Sequence, residues 1–155
     1  MCCSKWGYCG TTKEFCGDKK VTRPSCIVPT KLNRVVGYYE GWASRRTCQA
    51  FQPEDVPNSV YTHLNFAFAG IDLATFQVVP AEAGDVVLYS RLTALKKRDP
   101  SLKVFIAIGG WAFNDPGPTA NTFSRLAASP ANQAVFIRSL ISFMSTYRFD
   151  GVDID

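Results

Sequence analysis

Phe149-Asp150-Gly151-Val152-Asp153-Ile154-Asp155 reads as an apolar strand that ends in carboxylates at two-residue spacing. Side chains of a strand alternate between two faces, so Asp153 and Asp155 project to one side, roughly 6.5 to 7 Å apart along the backbone, and Asp150 to the other. Paired carboxylates in apolar surroundings repel each other and lose solvation, which makes them candidates for acid/base work. The residues alone leave two plainer readings open: a solvated strand end, and the first ligands of a metal loop.

Upstream, Ser129-Pro130 is a helix start, a cap followed by proline in the first turn. Val135, Phe136, Leu140, Ile141, Phe143 and Met144 give that helix an apolar face. Lys103 to Ile108 reads as a buried strand closed by Gly109-Gly110-Trp111, and Asp85 to Asp99 as a helix with a basic Lys96-Lys97-Arg98 end. Val60 to Ala69 and the run Val35-Val36-Gly37-Tyr38-Tyr39-Glu40 read as two further strands. Near-continuous apolar strands separated by helices predict right-handed βαβ units and a parallel sheet. Four such strands fit an open doubly wound sheet or half of a (β/α)8 barrel, which takes about 250 residues. Both architectures put their sites at the carboxyl ends of the strands, where Tyr38, Tyr39, Phe68, Trp111 and the aspartates stand. Gly109-Gly110 is expected to run into a loop and not a helix, so no phosphate-cradling glycine loop and no nucleotide cofactor are expected.

The first part of the chain differs in kind. Five of the six cysteines lie within residues 1–26, the density of a small disulfide-stapled module in an oxidising compartment, so secretion is expected. Zinc is disfavoured, because no C-x-x-C pair occurs and the one histidine, His63, sits far away in an apolar run. Residues 1–48 carry nine Lys/Arg against three Asp/Glu, and residues 49–155 eight against ten. The basic residues are scattered among cysteines and turns, which suits a solvated surface and not a nucleic-acid site. No apolar run of about 20 residues is present to span a membrane, and no leader precedes Cys2. Residues 27–33 read as a linker between a module at 1–26 and a domain at 34–155. Cys26 belongs to the module or pairs with Cys48.

The spacing Cys2-Cys3, Cys9, Cys16 with Ser4-Lys5-Trp6-Gly7-Tyr8 resembles the hevein-type chitin-binding module. The resemblance implies that Ser4, Trp6, Tyr8 and Phe15 bind N-acetylglucosamine units. It also implies that Cys3 and Cys9 have partners upstream, that only the Cys2–Cys16 bridge forms in this chain, and that the module is poorly ordered on one staple.

Residues 34–155 resemble the N-terminal half of a glycoside hydrolase family 18 catalytic domain. The resemblance runs from Val36-Gly37-Tyr38-Tyr39 through Asn65-Phe66-Ala67-Phe68 and Ile108-Gly109-Gly110-Trp111 to the signature D-G-x-D-x-D-x-E. With the upstream module, it points to killer-toxin-like fungal chitinases. The implied fold class is α/β, the N-terminal half of a (β/α)8 TIM barrel preceded by a disulfide-rich module. The implied reaction is endo-type cleavage of β-1,4 links in chitin, with the substrate's N-acetyl oxygen as nucleophile, no metal and no cofactor. Asp155 would orient the acetamido group and stabilise the cationic intermediate, and Asp153 would couple to its protonation. Tyr38 and Phe68 would flank the reacting sugar, with Trp111 as its floor. Asp150 is expected to be structural, Phe66, Tyr39 and Trp42 to pack, and His63 to be a satisfied side chain. Ala107 stands where many family members have serine.

The family's general-acid glutamate falls two residues after Asp155, so the sequence reads as cut at both ends. Its 155-residue product is expected to be inactive alone and prone to self-associate through open sheet edges. Two rival readings differ in class. One is a chitinase-like lectin that binds chitin or chitooligosaccharides without cutting. The other is a phosphoryl-transfer enzyme using the D-x-D pair with magnesium, for which no phosphate loops are in view.

Overall fold

The structure, a computed structural model, describes residues 2–3, 9–10, 12–17 and 32–155 and divides into two compact units, 1–32 and 33–155. In the first unit β1 (Cys2–Cys3) pairs antiparallel with β2 (Cys9–Gly10), and α1 (Lys13–Cys16) follows. A disulfide joins Cys2 to Cys16 across a Cα separation of 5.1 Å. The covalent tie does what a segment this short cannot do by burial alone. Ser4, Trp6 and Tyr8 lie outside the described residues. Phe15 is half-buried, its ring lying where a side chain on Gly10 would stand. Cys48 is exposed and forms no disulfide among the described residues; Cys26 lies outside the described residues.

The second unit is built on a parallel sheet in the order β3 (Val36–Glu40), β4 (His63–Ile71), β6 (Lys103–Ile108), β7 (Gly151–Ile154). A short β5 (Val78–Pro80) pairs antiparallel with the far end of β4. Strand alternation gives the sheet two characters. Leu64 and Phe66 of β4 and Val104, Ile106 and Ile108 of β6 are fully buried on the helix-covered face. The other face carries Tyr38, Asn65, Ala67, Phe105, Ala107, Gly151 and Asp153 in register. The fold is the partial barrel that the family resemblance implied, one of the two architectures that the alternation of strands and helices left open.

Two helices close the apolar face. Helix α2 (Asp85–Thr93) seats Tyr89 on Phe66, with ring centroids 4.6 Å apart. Helix α5 (Pro130–Tyr147) begins on Ser129, whose hydroxyl accepts from the Asn132 amide, and packs Phe143 against Tyr89. It ends at Arg148 in the left-handed conformation, φ 62°. Asp150 has a structural use: its Oδ2 accepts from the Val104 amide at 2.8 Å and from Lys96 Nζ at 2.9 Å, tying the entry of β7 to β6 and to the end of the α2 segment.

Several expectations change. The helix expected to reach Asp99 gives way to a 3-10 turn, Ala94–Lys97, which brings Lys96 to the Arg148 carbonyl and Asp150. The strand expected from Val60 starts at His63, because Thr62 and His63 first donate their amides to Val35 at the foot of β3. Gly109-Gly110 does run into a helix, the single turn α3 (Trp111–Asn114). Helix α4 (Thr122–Ala127) and β5 are too short for a periodicity to announce them.

Candidate active site

Asp153 lies in register with Ala107 on β6, and the same row continues through Ala67 on β4 to Glu40 on β3. The row below is Gly151, Phe105, Asn65 and Tyr38. Gly151 is required there, because a Cβ would stand 2.7 Å from the Phe105 ring. Tyr38 and Asp153 are on strands three spacings apart, roughly 14 Å in a flat sheet. Yet the Tyr38 hydroxyl donates to Asp153 Oδ2 at 2.5 Å. The sheet therefore curls, and the small side chains of Ala67 and Ala107 leave the space over which the two groups meet.

Asn65 is buried in the same hollow and donates its Nδ2 to the same oxygen of Asp153 at 3.1 Å. The hydrogen bond to Asp153 raises the Tyr38 phenol above its ordinary pKa, and burial adds to it. The Asn65 amide acts the other way, and the charges of Asp153 and Asp155 push up further. Tyr38 thus remains a neutral donor at neutral pH.

Asp155 follows β7. Its amide donates to the Ile108 carbonyl at 3.0 Å, and its carbonyl accepts from the Gly110 amide at 3.2 Å. These bonds lock the end of β7 to the turn Gly109-Gly110, whose φ values of 107° and 91° suit glycine. The turn delivers Trp111, 85% exposed, beside Asp155. Between Gly110, Trp111, Asn114, Asp115 and Asp155 opens a hollow of about 480 Å³. Phe68, after the cis Ala67–Phe68 peptide, lies against Gly110, where a Cβ would come within 2.8 Å of its ring.

Phe66 and Tyr39 are buried, as packing residues are. Trp42 is not. It is 44% exposed and stacks on Phe68, with centroids 6.2 Å apart and planes 28° apart. It rides on the 3-10 turn Gly41–Arg45, which Arg45 anchors to the buried Asp85 at 2.8 Å. The sequence hides this because the turn, and not strand alternation, aims the ring. His63 bonds Thr62 through Nδ1 and sets its ring edge-on to Phe105.

The candidate residues fall into two sets. Tyr38 and Asp153 touch, and Asp155 and Trp111 share the hollow beside them. Phe68 joins the latter through Gly110 and Trp42. Sequence reasoning missed Asn65 and Trp42; an asparagine inside an otherwise apolar strand was the available signal for the first. Two carboxylates, a phenol and exposed rings at a strand end can move protons and hold the flat face of a sugar. Among the described residues no group of three or more His, Cys, Asp or Glu is arranged to hold a metal, and no helix is long and apolar enough to cross a membrane.

The family Glycosyl hydrolases family 18 matches residues 34–155, and Chitin recognition protein matches residues 1–26. The chain is 37% identical over 123 residues to Chitotriosidase-1 of Mus musculus, covering 79% of this chain and 25% of that protein. It is 30% identical over 173 residues to Secreted chitinase LysM12 of Penicillium expansum, covering 99% of this chain and 11% of that one. Among solved structures, Group II chitinase catalytic domain 2 of Ostrinia furnacalis in complex with (NAG)5 superposes with a TM-score of 0.71 at 31% identity, over 79% of this chain and 31% of that chain. The chain spans a quarter or less of the length of these curated relatives.

Proposed function

The chain belongs to glycosyl hydrolases family 18, and from that premise we propose that the whole protein is a secreted chitinase that hydrolyses the β-1,4 links of chitin. The substrate's own N-acetyl oxygen attacks the anomeric carbon as the glycosidic C–O bond breaks and the leaving oxygen takes a proton from the family's general-acid carboxyl in the whole protein. Water then opens the cyclic cation and returns that proton, so no enzymic nucleophile is needed. Asp155 orients the acetamido group and stabilises the positive charge that develops on it. Asp153, held by Tyr38, exchanges a proton with Asp155 as that charge comes and goes. Phe68 and Trp111 hold sugar rings by their faces. The module at residues 1–26 adds a second grip on the polymer through Ser4, Trp6, Tyr8 and Phe15.

The observation that carries this reading is the junction at the end of β7: Asp153 is bonded to Tyr38 across the concave face, while Asp155 is locked by its backbone beside exposed Trp111. The test is Asp155→Asn in the whole protein, assayed by release of reducing ends from chitopentaose. The expected loss of kcat is about 10²–10³-fold, the scale for removing one electrostatic stabiliser. An unchanged rate would sink the assignment of Asp155. Tight binding of chitopentaose by the unmodified whole protein with no cleavage would replace the hydrolase by the lectin.

A further inference from the structure

We propose that Asn65 is a positioning residue for this reaction, one that fixes the rotation of the Asp153 carboxylate and reserves its Oδ1 for the proton. The inference rests on the hydrolase reading and goes beyond it in naming what orients Asp153. Asn65 is 5% exposed in the middle of β4. Its Nδ2 donates to Asp153 Oδ2, and its own Oδ1 is buried without a partner. Turning the amide over would set its oxygen against the carboxylate, so the observed orientation is the one with a bond.

Such an arrangement is a poor device for stability. A buried acceptor left unsatisfied costs about 1–3 kcal/mol, and an apolar side chain would fill this strand position without that cost. The donor is what the position retains. The residue in register with Asp153 on the neighbouring strand is Ala107, and the next in that row is Ala67; neither can hydrogen-bond through its side chain. Tyr38 reaches Asp153 from β3 on a side chain 52% exposed, whereas Asn65 approaches from the buried floor.

Both donors converge on one oxygen, and this has a chemical consequence. Oδ2 with two donors is poorly suited to carry a proton, so protonation of Asp153 falls on Oδ1. In the exchange with Asp155 the proton leaves one carboxyl and binds the other, the total charge is unchanged, and Asn65 neither gains nor loses a proton. The other charged or titratable groups on this face are Glu40, paired with Arg46, in the Asp153 row, and His63 and Lys103 at the foot of the sheet.

The test compares Asn65→Leu with the double variant Asn65→Leu/Ala107→Ser, which returns a hydroxyl at the register position beside Asp153. Both are made in the whole protein and assayed on chitopentaose, with Asp155→Asn in parallel. Asn65→Leu is expected to lower kcat by about tenfold to a hundredfold, the scale of a misplaced catalytic group, with KM within about twofold. The acid limb of its kcat profile moves to higher pH, and Ala107→Ser recovers part of the loss. Urea denaturation accompanies each variant, and Asn65→Leu is expected to keep the midpoint. A kcat and pH profile unchanged by Asn65→Leu, with Asp155→Asn inactive, overturns the role of Asn65 and leaves the hydrolase reading standing. A protein without hydrolysis overturns that reading instead. In that case the titration of Tyr38, followed by tyrosine 13Cζ resonances and assigned with Tyr38→Phe, still tests the shared site. Asn65→Leu removes an influence that lowers the Tyr38 pKa, so Tyr38 is expected to titrate higher than in the parent; an unshifted titration overturns the proposal.

Discussion

At Gly110 the backbone stands at φ 91° with the Phe68 ring against its α-carbon, and its amide holds the Asp155 carbonyl. An alanine there meets both obstacles at once, a strained backbone region and a ring 2.8 Å from the new methyl. Gly110→Ala is expected to cost about 1–3 kcal/mol, read as a lower urea midpoint of the whole protein, and to weaken chitopentaose binding because Trp111 starts at the next residue. An unchanged midpoint would show that Phe68 gives way freely. Residues of this kind were partly legible. Asp153, Asp155, Tyr38 and Trp111 stood out because carboxylates and rings are conspicuous at strand ends. Asn65 and Trp42 did not, since the role of each depends on a group from another strand or turn that sequence distance conceals.

Helices α2 and α5 meet the sheet through an aromatic cluster centred on Tyr89, whose ring contacts those of Phe66, Phe143, Tyr147 and Phe149. The Tyr89 hydroxyl reaches toward the Ala81 backbone without a hydrogen bond of ordinary geometry, and burial drives its pKa far above that of a free tyrosine. Tyr89→Phe is therefore expected to stabilise the fold by about 1 kcal/mol at neutral pH. The pH dependence has a definite sign. The folded-state pKa lies above the unfolded value of about 10, so the contribution of the protonated phenol is intact below pH 10 and is lost as pH rises toward the folded value. Urea midpoints at pH 7 and about pH 11 should show the advantage of the phenylalanine growing with pH. A destabilised variant at pH 7 would mean that the hydroxyl is satisfied. Elements with a long periodic face, such as α5 and β6, were legible in the sequence. The switch of α2 to a 3-10 turn was not, because Lys96 is drawn to Arg148 and Asp150, more than 50 residues away.

The parallel sheet has β3 at one end of its order and β7 at the other, with Val36, Tyr38 and Ile154 exposed on them. Strand edges of this kind pair with whatever strand is available. A polypeptide of residues 1–155 alone is therefore expected to associate with itself in a concentration-dependent way in sedimentation velocity, and to release no product from chitopentaose. A monodisperse monomer would contradict the first expectation, and turnover the second. By itself the sequence determined the alternation of buried strands and helices, the cysteine-dense character of the first unit, and the carboxylates gathered at the end of the last strand. Those follow from local spacing and side-chain chemistry. Only the tertiary structure decided that the sheet curls enough for Tyr38 to reach Asp153, that Asn65 shares the same oxygen, and that Trp42 lies open on Phe68. Curvature and register join residues as many as 115 positions apart, and no local pattern encodes that meeting.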